Sequence, residues 1–366
     1  MATKSKVVEE SFRFGCGRYI QESGALSRAG EEAVRLGAHR ALLIGGKTAF
    51  SLAGDTLRAS LKNAGVSCKT VEYHGFCNRE EAARLAALAL EEGCELILAV
   101  GGGNLCDLGK LIAANAGLRV ITVPTSSATC AATTPLSVTY TAEYQAAGTV
   151  HHTREVDAVL ADMDILCRQQ PERLFAAGVY DALAKKIEIE QRLQGKEDSE
   201  IDVGLSASFA LAKYTYERMN ALFGAACEEL RQKEPGKALY DMIFLSVAAT
   251  GVISGMARGS NQCAIAHKVY EGCRTLYSEE VREKLHGELV AVGLIAQLYY
   301  NGEETAAADF RKGLIGHGLP FDLPTLGVKE KGAADALYRY ILPTSAMAGT
   351  GDAEKERLRA ALALIG

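Results

Sequence analysis

The chain has 366 residues, of which 48% are hydrophobic and 23% are charged, and it carries a net charge of −5. This length favours two domains, because a single hydrophobic core rarely extends over so many residues. The charge provides no broad basic surface for nucleic acid, no apolar run approaches the roughly 20 residues that span a bilayer, and residues 1–10 lack the apolar segment of a signal peptide.

The first half of the chain alternates predicted strands and helices. The predicted strands cover residues 40–46, 68–74, 95–100, 118–124 and 158–162, and the helical patterns between them cover residues 49–64, 78–92 and a segment after residue 103. Strands separated by helices indicate βαβ units and a mainly parallel sheet. Such sheets bind ligands at the carboxyl ends of their strands, so Gly45-Gly46, Gly101–Gly103 and Thr125-Ser126 are expected to border one cleft.

The strand predicted over residues 95–100 leads into three glycines. Five of its six residues are apolar, which predicts a buried strand, and Gly101–Gly103 let the backbone come close to a ligand. Leu105, Leu108 and Ile112 recur at helical spacing, so a helix begins after the glycines and presents its positive N-terminal end. We interpret the segment as a cradle for the diphosphate of a nucleotide; a plain tight turn between strand and helix is the alternative.

The composition changes at about Met163. Beyond it strand-like runs vanish, and Ala, Leu, Glu and Lys dominate amphipathic helical patterns such as residues 182–193 and 205–218. We therefore predict an α/β domain over residues 1–163 and an all-helical domain over residues 164–366.

Three polar residues of the helical half stand among small apolar neighbours. Each has an ordinary explanation: Asp181 and His286 as helix-cap residues, and His267 as a satisfied core histidine. An aspartate and two histidines from three helices also suit a catalytic zinc site, which has three protein ligands and an open fourth position. Spacing alone does not decide between these interpretations.

Motifs along nearly the whole chain resemble those of one protein family. They are Phe14–Tyr19, Gly101-Gly-Gly-x-x-x-Asp107-x-x-Lys110, Val123–Thr129, Pro135–Tyr140, Ala177–Ala184, Ala266-His267 and His286–Gly293. In this order they resemble the glycerol dehydrogenase-like branch of the iron-containing (group III) alcohol dehydrogenase family. The resemblance implies a dehydroquinate synthase-like fold: a Rossmann-like N-terminal domain with a parallel sheet opened by Phe14–Tyr19, an all-helical C-terminal domain, and a cleft for a metal and a nicotinamide cofactor between them.

The resemblance also implies roles for individual residues. Asp181, His267 and His286 correspond to the ligands of a divalent metal. The residues expected at the cofactor are Gly46, Lys47, Gly102, Gly103, Asn104, Thr125, Ser126, Thr134, Leu136 and Tyr140. Asp107 corresponds to an acid that the family keeps near the nicotinamide, in a catalytic position. Members that favour iron usually carry a further histidine where this chain has Lys185, which favours zinc, with iron as the alternative.

Two departures from the family pattern concern the substrate. Glycerol dehydrogenases carry an aspartate that contacts the polyol, and the aligned residue here is Cys130. Together with Lys185, Cys130 resembles the hydroxycarboxylate dehydrogenase members instead. Lys185 lies one helical turn from Asp181, so we expect its ammonium group to pair with a substrate carboxylate; a solvated helix lysine is the alternative. A 2-hydroxy acid and its 2-oxo acid are therefore the expected substrates, with glycerol and dihydroxyacetone as the alternative pair.

Two further departures concern the cofactor and the proton. Relatives that use NAD carry an acid after the first strand, where this chain has Gly46 followed by Lys47. Glycine leaves room for a 2′-phosphate and lysine supplies positive charge, so we expect NADP to be preferred over NAD. Many relatives have a second histidine where this chain has Tyr270, and the proton donor is then Tyr270 or a bound water.

Other functions of the same fold remain as alternatives. A dehydroquinate synthase-like cyclase would need a cluster of basic residues for a phosphate substrate, and a non-catalytic relative would not need the three metal ligands. Relatives form homo-oligomers, and ten cysteines scattered singly favour reduced thiols in a cytoplasmic enzyme with a small-molecule substrate. We interpret Cys227 as a small packing residue and His317 as a loop residue.

Overall fold

The computed structural model describes residues 13–366, and a parallel sheet forms the centre of the first half. The strands are β1 (Tyr19–Glu22), β2 (Arg40–Gly45), β3 (Ser67–Glu72), β4 (Leu96–Gly101), β5 (Arg119–Pro124), β6 (Leu136–Tyr140), β7 (Ala146–His151) and β8 (Ala158–Asp162). Six of them form one sheet in the order β1-β8-β5-β4-β2-β3, and every neighbouring pair is parallel. The strands β6 and β7 form a separate antiparallel hairpin.

Helices connect the strands and cover both faces of the sheet. In the first half they are α1 (Ala29–Arg35), α2 (Lys47–Asn63), α3 (Arg79–Glu91) and α4 (Gly103–Ala116). Leu42 and Ile44 of β2 pack in the core on one face, and Ala41 and Leu43 pack in the core on the other. Because both faces of the inner strands are buried, β2, β4, β5 and β8 are mainly apolar runs rather than alternating ones, which is why the sequence reveals them.

The second half is helical throughout the described residues. Its helices are α5 (Met163–Arg168), α6 (Glu172–Leu193), α7 (Val203–Gln232), α8 (Lys237–Phe244), α9 (Thr250–Ala257), α10 (Ile265–Leu276), α11 (His286–Tyr300), α12 (Glu304–Gly316), α13 (Leu323–Leu326), α14 (Ala333–Ile341) and α15 (Asp352–Ile365). The predicted fold class, a parallel-sheet half followed by an all-helical half, is confirmed. The boundary at residues 163 and 164 falls within the first turn of α5 and stays a prediction.

One hydrophobic core joins the two halves. It contains Val159 and Ala161 on one face of the sheet and continues through Met163 to Phe175 of α6. The helical half therefore packs directly against the sheet, which brings α6 against the loop that follows β5, while α11 packs on α6 and α10.

Two sequence expectations are corrected here. The opening strand begins at Tyr19 rather than Phe14, and in the preceding segment Cys16 forms only an isolated bridge with Val156. The stretch Lys237–Ala257 forms a continuous helical segment that is long and apolar enough to cross a membrane, although no such run was expected. The most apolar stretch of this segment is 61% buried inside the protein, and a mostly buried core helix can have the same length and composition.

Candidate active site

The cleft lies at the carboxyl ends of β2 and β4, which are neighbours at the centre of the sheet. Gly45 of β2 is paired with Val100 of β4, so the two strands end at the same level. The chain leaves this pair in opposite directions, since β3 lies beyond β2 and β5 lies beyond β4. A reversal of this kind opens the crevice in which parallel sheets bind ligands.

Three glycines turn β4 into α4 at this crevice. Gly101 has a φ of +154°, which side chains rarely allow, and a Cβ on Gly103 would lie 2.6 Å from Thr129 Oγ1. Gly102 caps α4, and the nearest atom to a Cβ placed there would be Ser126 Oγ at 3.7 Å. The helix therefore presents its first N–H groups to open space, as a diphosphate site requires.

Asn104, which was predicted to hold the diphosphate, uses its side chain in another contact. Its Oδ1 accepts the Cys77 N–H at 2.5 Å, and its Nδ2 donates to the Gly75 carbonyl at 3.0 Å. The side chain thus fastens the loop after β3 to the cradle. The contact of Asn104 with the cofactor stays a prediction, and the backbone N–H of Asn104 rather than its side chain would make it.

The adenosine side of the cradle begins after β2. Gly46 caps α2, and the nearest atom to a Cβ placed there would be the Tyr73 carbonyl oxygen at 3.6 Å. The side chain of Lys47, the next residue, is exposed. The position after β2 therefore has room for a group larger than a hydroxyl, with a cation beside it.

Lys110 anchors the loop between β5 and β6, which carries three of the predicted cofactor residues. Its Nζ donates to the carbonyl oxygens of Ala131 at 2.6 Å and Thr134 at 2.9 Å, and also to that of Leu136. At the start of the same loop, the Thr125 N–H donates to the Gly101 carbonyl at 3.0 Å. The loop is thus tied to the cradle at both ends. Ser126 and Thr134 on it are buried, and within the described residues the Thr134 hydroxyl makes no hydrogen bond.

Asp107 lies in the second turn of α4 and is buried with Lys110. Its Oδ1 is 2.7 Å from Lys110 Nζ, and its Oδ2 accepts the Val138 N–H at 3.0 Å. Burial raises the pKa of Asp107, while the charges of Lys110 and His286 oppose the rise. Asp107 therefore anchors the β6–β7 hairpin beside His286, and its predicted catalytic role stays a prediction.

Three helices bring Asp181, His267 and His286 together. Asp181 Oδ1 lies 3.1 Å from His286 Nε2 and 3.8 Å from His267 Nε2, and donor atoms of all three residues lie within 4.8 Å of one another. Asp181 lies well inside α6, so its alternative interpretation as a helix cap is wrong. His286 is the first residue of α11, and His267 is in the first turn of α10.

Glycines beside the ligands let these helices approach at backbone distance. A Cβ on Gly287, next to His286, would lie 2.1 Å from the carbonyl oxygen of Ala177 in α6. A Cβ on Gly293 would lie 2.5 Å from the carbonyl oxygen of Ala266, the neighbour of His267. Since main-chain atoms cannot move aside as a flexible side chain can, larger residues at these positions would separate α11 from α6 and α10.

Glu188 orients His267, and sequence reasoning missed it. It is fully buried; Oε2 contacts His267 Nδ1, and Oε1 accepts the N–H groups of Ala264 at 2.7 Å and His267 at 3.0 Å. A carboxylate on Nδ1 leaves Nε2 free to bind a metal. Its spacing in the sequence could have identified it, because Glu188 lies two helical turns after Asp181 and therefore on the same face of a largely buried helix.

The three residues fit a divalent metal ion. Asp181 Oδ1 is buried and, within residues 13–366, makes no hydrogen bond of acceptable geometry despite the short distance to His286. A buried carboxylate oxygen in this state is costly unless a cation satisfies it. Burial opposes ionisation of Asp181, but His286, Lys185 and His267 hold its pKa below the usual range. One carboxylate and two imidazoles form a typical three-ligand catalytic metal site.

Lys185 and Cys130 lie beside this metal site. Lys185 is only 5% exposed, and none of the described residues forms a hydrogen bond or ion pair with its ammonium group. Burial lowers the pKa of Lys185, but its electrostatic surroundings, in which Asp181 and Glu188 carry the negative charge, outweigh burial and the net shift is upward. Cys130 is buried, its Sγ lies 4.0 Å from Ser254 Oγ, and burial raises its pKa, so the thiol is neutral.

A pair of tyrosines bridges the two halves next to His286. The hydroxyl groups of Tyr140 and Tyr270 lie 2.8 Å apart, and the Tyr270 ring meets the His286 ring edge-on at 4.2 Å between centroids. Burial raises the pKa of both hydroxyls, so both are neutral over the physiological range. Tyr140 also packs against Tyr144, which stacks on Phe76 at 3.4 Å.

Comparisons with known proteins agree with this geometry. The family model "Iron-containing alcohol dehydrogenase" matches residues 16–163. A glycerol dehydrogenase of Thermotoga maritima is 31% identical over 284 residues, which are 77% of this chain and 75% of the relative. Hydroxycarboxylate dehydrogenase A of Escherichia coli K12 is 31% identical over 289 residues, which are 78% of this chain and 76% of the relative.

The fold is also that of solved members. A probable glycerol dehydrogenase from Sinorhizobium meliloti 1021 superimposes with a TM-score of 0.83 over 97% of this chain and 98% of that chain, at 22% identity. At 22% identity the structural superposition shows the fold alone, while the relatives with 31% identity show the family. The chain is a metal-dependent oxidoreductase that belongs to the iron-containing (group III) alcohol dehydrogenase family, in its glycerol dehydrogenase-like branch.

Proposed function

We propose that this protein transfers a hydride between NADP(H) and a small 2-hydroxy acid/2-oxo acid pair. The observation that carries the proposal is Lys185, which is only 5% exposed, has no hydrogen-bonding partner for its ammonium group among the described residues and lies one turn from Asp181. A largely buried cation without a protein partner is well placed to bind a substrate carboxylate through a charge-assisted hydrogen bond.

Asp181, His267 and His286 would hold the ion, most suitably zinc and alternatively iron, which when bound would supply Lewis-acid polarisation of the carbonyl, and a bound nicotinamide would supply the hydride. The protein's own residues bind and orient. Gly102 and Gly103 leave room for the diphosphate at the start of α4, and Thr125, Ser126, Thr134, Leu136 and Tyr140 are proposed to line the ribose and nicotinamide positions. Lys185 would hold the substrate carboxylate beside the metal site.

Cys130 supports an acidic substrate rather than a polyol. By resemblance it occupies the position at which glycerol dehydrogenases carry an aspartate. A neutral thiol gives no carboxylate acceptor for glycerol hydroxyls, and it also removes a negative charge that would repel the substrate's own carboxylate. An anionic substrate is therefore favoured twice, by the absence of a carboxylate at Cys130 and by the positive charge of Lys185.

The first test is Lys185→Ala in zinc-reconstituted enzyme, assayed with a 2-oxo acid and with a neutral aldehyde of similar size. KM for the 2-oxo acid should rise about tenfold or more, because a hydrogen bond to a charged group contributes about 1.5–3 kcal/mol. KM for the aldehyde should change little. The matched control is Lys186→Ala, since Lys186 pairs with Glu190 at 2.6 Å on the same helix.

Equal changes in KM for both substrates would contradict this role of Lys185. Zinc content should be measured in each variant, because loss of metal would affect both substrates alike. A wild-type preference for dihydroxyacetone over any 2-oxo acid would leave the metal site in place and favour glycerol dehydrogenase activity. That second function is supported by the relative from Thermotoga maritima.

The cofactor proposal rests on the end of β2. Gly46 leaves space there, and exposed Lys47 is adjacent. An acid at this position would accept the ribose 2′-hydroxyl of NAD and repel a 2′-phosphate, whereas glycine followed by lysine suits the phosphate. NADPH is therefore expected to be preferred, with NADH accepted.

We expect a higher kcat/KM with NADPH than with NADH in the wild type. Gly46→Asp should lower kcat/KM for NADPH by about tenfold or more, through charge repulsion, and leave NADH turnover largely intact. Ser51→Asp is the control, because it adds the same charge one turn further along α2. A strong wild-type preference for NADH would refute the proposal.

We propose Tyr270 as the proton donor, with Tyr140 as its hydrogen-bonding partner across the cleft. We also propose a cytoplasmic homo-oligomer that acts on small molecules, without nucleic-acid or membrane partners; size-exclusion chromatography with light scattering tests the oligomer.

A further inference from the structure

A second group of metal-donor side chains lies where the start of α6, the end of α7 and the end of α12 meet. Glu172 is the first residue of α6, Cys227 lies in α7, and His317 caps the end of α12. One donor atom from each residue lies within 4.8 Å of the others. Within residues 13–366, the only other group of this kind is the set formed by Asp181, His267 and His286.

Two of these donors are buried, and one of them, the His317 imidazole, lacks a good partner. His317 Nδ1 is buried and makes no hydrogen bond in the described part of the chain; Glu172 Oε1 is its neighbour at 3.5 Å, beyond a normal bond. Cys227 is only 1% exposed, and burial, reinforced by Glu172, raises the pKa of its thiol to about 12. An unsatisfied imidazole nitrogen beside a buried thiol and a carboxylate calls for an explanation.

The surrounding residues hold the three donors in place. The His317 ring stacks on Phe223, with 4.5 Å between ring centroids and 27° between planes. Arg231 donates two hydrogen bonds to the Glu172 carboxylate, from Nε to Oε2 at 2.9 Å and from Nη2 to Oε1 at 3.0 Å. A carboxylate oxygen retains a further lone pair after such a bond, and ligating carboxylates are commonly held by a second hydrogen bond.

We propose that Glu172, Cys227 and His317 form a second cation site for a zinc-class ion, outside the active site. Thiolate, imidazole and carboxylate together suit Zn²⁺ or Co²⁺ and disfavour Mg²⁺ and Ca²⁺, which take oxygen ligands. On binding, the Cys227 thiol releases its proton to solvent, and the thiolate offsets part of the 2+ charge, since Arg231 already neutralises the Glu172 carboxylate. The ion would join α6, α7 and α12. This second site does not depend on which substrate or cofactor the active site binds.

Metal stoichiometry tests the site. Metal-free protein titrated with Zn²⁺ should bind two equivalents per chain, whereas Asp181→Asn, Cys227→Ser and His317→Gln should each bind one. Cys227→Ser and His317→Gln should keep turnover near the wild-type level, since neither residue lies in the active site. Cys167→Ser is the matched control, because Cys167 is also buried but belongs to no donor group, and it should bind two equivalents.

Cobalt substitution gives a second readout, because it reports a thiolate ligand directly and in the wild type as well as in the variants. Wild-type and Asp181→Asn protein loaded with Co²⁺ should show the near-ultraviolet charge-transfer band of a cobalt–thiolate bond, and Cys227→Ser should lack it. One equivalent of Zn²⁺ in the wild type, no thiolate band in wild type or Asp181→Asn, or a band that survives in Cys227→Ser would each overturn the proposal.

Discussion

At the scale of single residues, the proposed metal site depends on a carboxylate outside the set Asp181, His267 and His286. Glu188 contacts His267 Nδ1 and accepts two backbone N–H groups at the start of α10, so one side chain determines both the imidazole tautomer and the position of its helix. Partners of this kind commonly account for 10–100-fold in metal affinity.

Glu188→Gln should therefore weaken zinc binding by about 10–100-fold. The glutamine amide would donate to His267 Nδ1, which forces the remaining proton onto Nε2 and blocks that atom as a ligand. Competition with a chromophoric chelator measures the affinity. Glu190→Gln, which alters a surface pair on the same helix, is the control, and equal affinity in both variants would contradict the role of Glu188.

Tyr270 provides a second prediction at this scale. Its hydroxyl is neutral because burial raises its pKa, and Tyr140 can support it as a donor. Tyr270→Phe should lower kcat by about a hundredfold, within the range of general acid–base catalysis, while KM and zinc content stay close to wild type. Tyr140→Phe should have a smaller effect. An unchanged kcat in Tyr270→Phe would assign the proton to a bound water.

At the scale of helices, glycines determine how closely the ligand-bearing segments approach. Gly287 places α11 on the backbone of α6, and Gly293 places it on the backbone of α10. The proposed ligands Asp181, His267 and His286 lie within a few residues of these crossings, so the crossings determine the spacing of the three side chains.

Gly287→Ala should cost stability and zinc affinity together. Its Cβ would meet the Ala177 carbonyl oxygen at 2.1 Å, and overpacking of this kind costs about 1–3 kcal/mol. Gly224→Ala in α7 is the control, since nothing lies within 4 Å of its Cβ position and alanine should add up to about 1 kcal/mol of helix stability. Thermal unfolding and zinc titration of both variants check this; wild-type values for Gly287→Ala would contradict it.

The same scale explains which elements the sequence reveals. The strand Leu96–Gly101 is apolar throughout because both of its faces are buried, and periodicity detects it readily. The β6–β7 hairpin escaped prediction because β7, Ala146–His151, is mostly exposed and contains glycine, so it is a strand through its pairing with β6 rather than through its own pattern.

The candidate sites differ in the same way. Asp181, His267 and His286 are recognisable because family motifs surround them, whereas Glu188 resembles any helical glutamate until the burial of α6 is known. Cys227 and His317 have no local motif, and only the packing of α7 against α12 brings them together. Interactions between distant segments carry no periodic signal, so they appear only in the folded chain.

At the scale of the whole molecule, the order of strands in the sheet has a consequence for folding during synthesis on the ribosome. The first strand has a single partner, β8, and Tyr19 pairs with Val159, roughly 140 residues later in the chain. Until that partner emerges, the N-terminal strand has an unpaired edge, and long-range pairing of this kind is slow and prone to aggregation. Nascent chains halted before residue 158 should therefore depend on chaperones, and release from them should coincide with synthesis of the eighth strand.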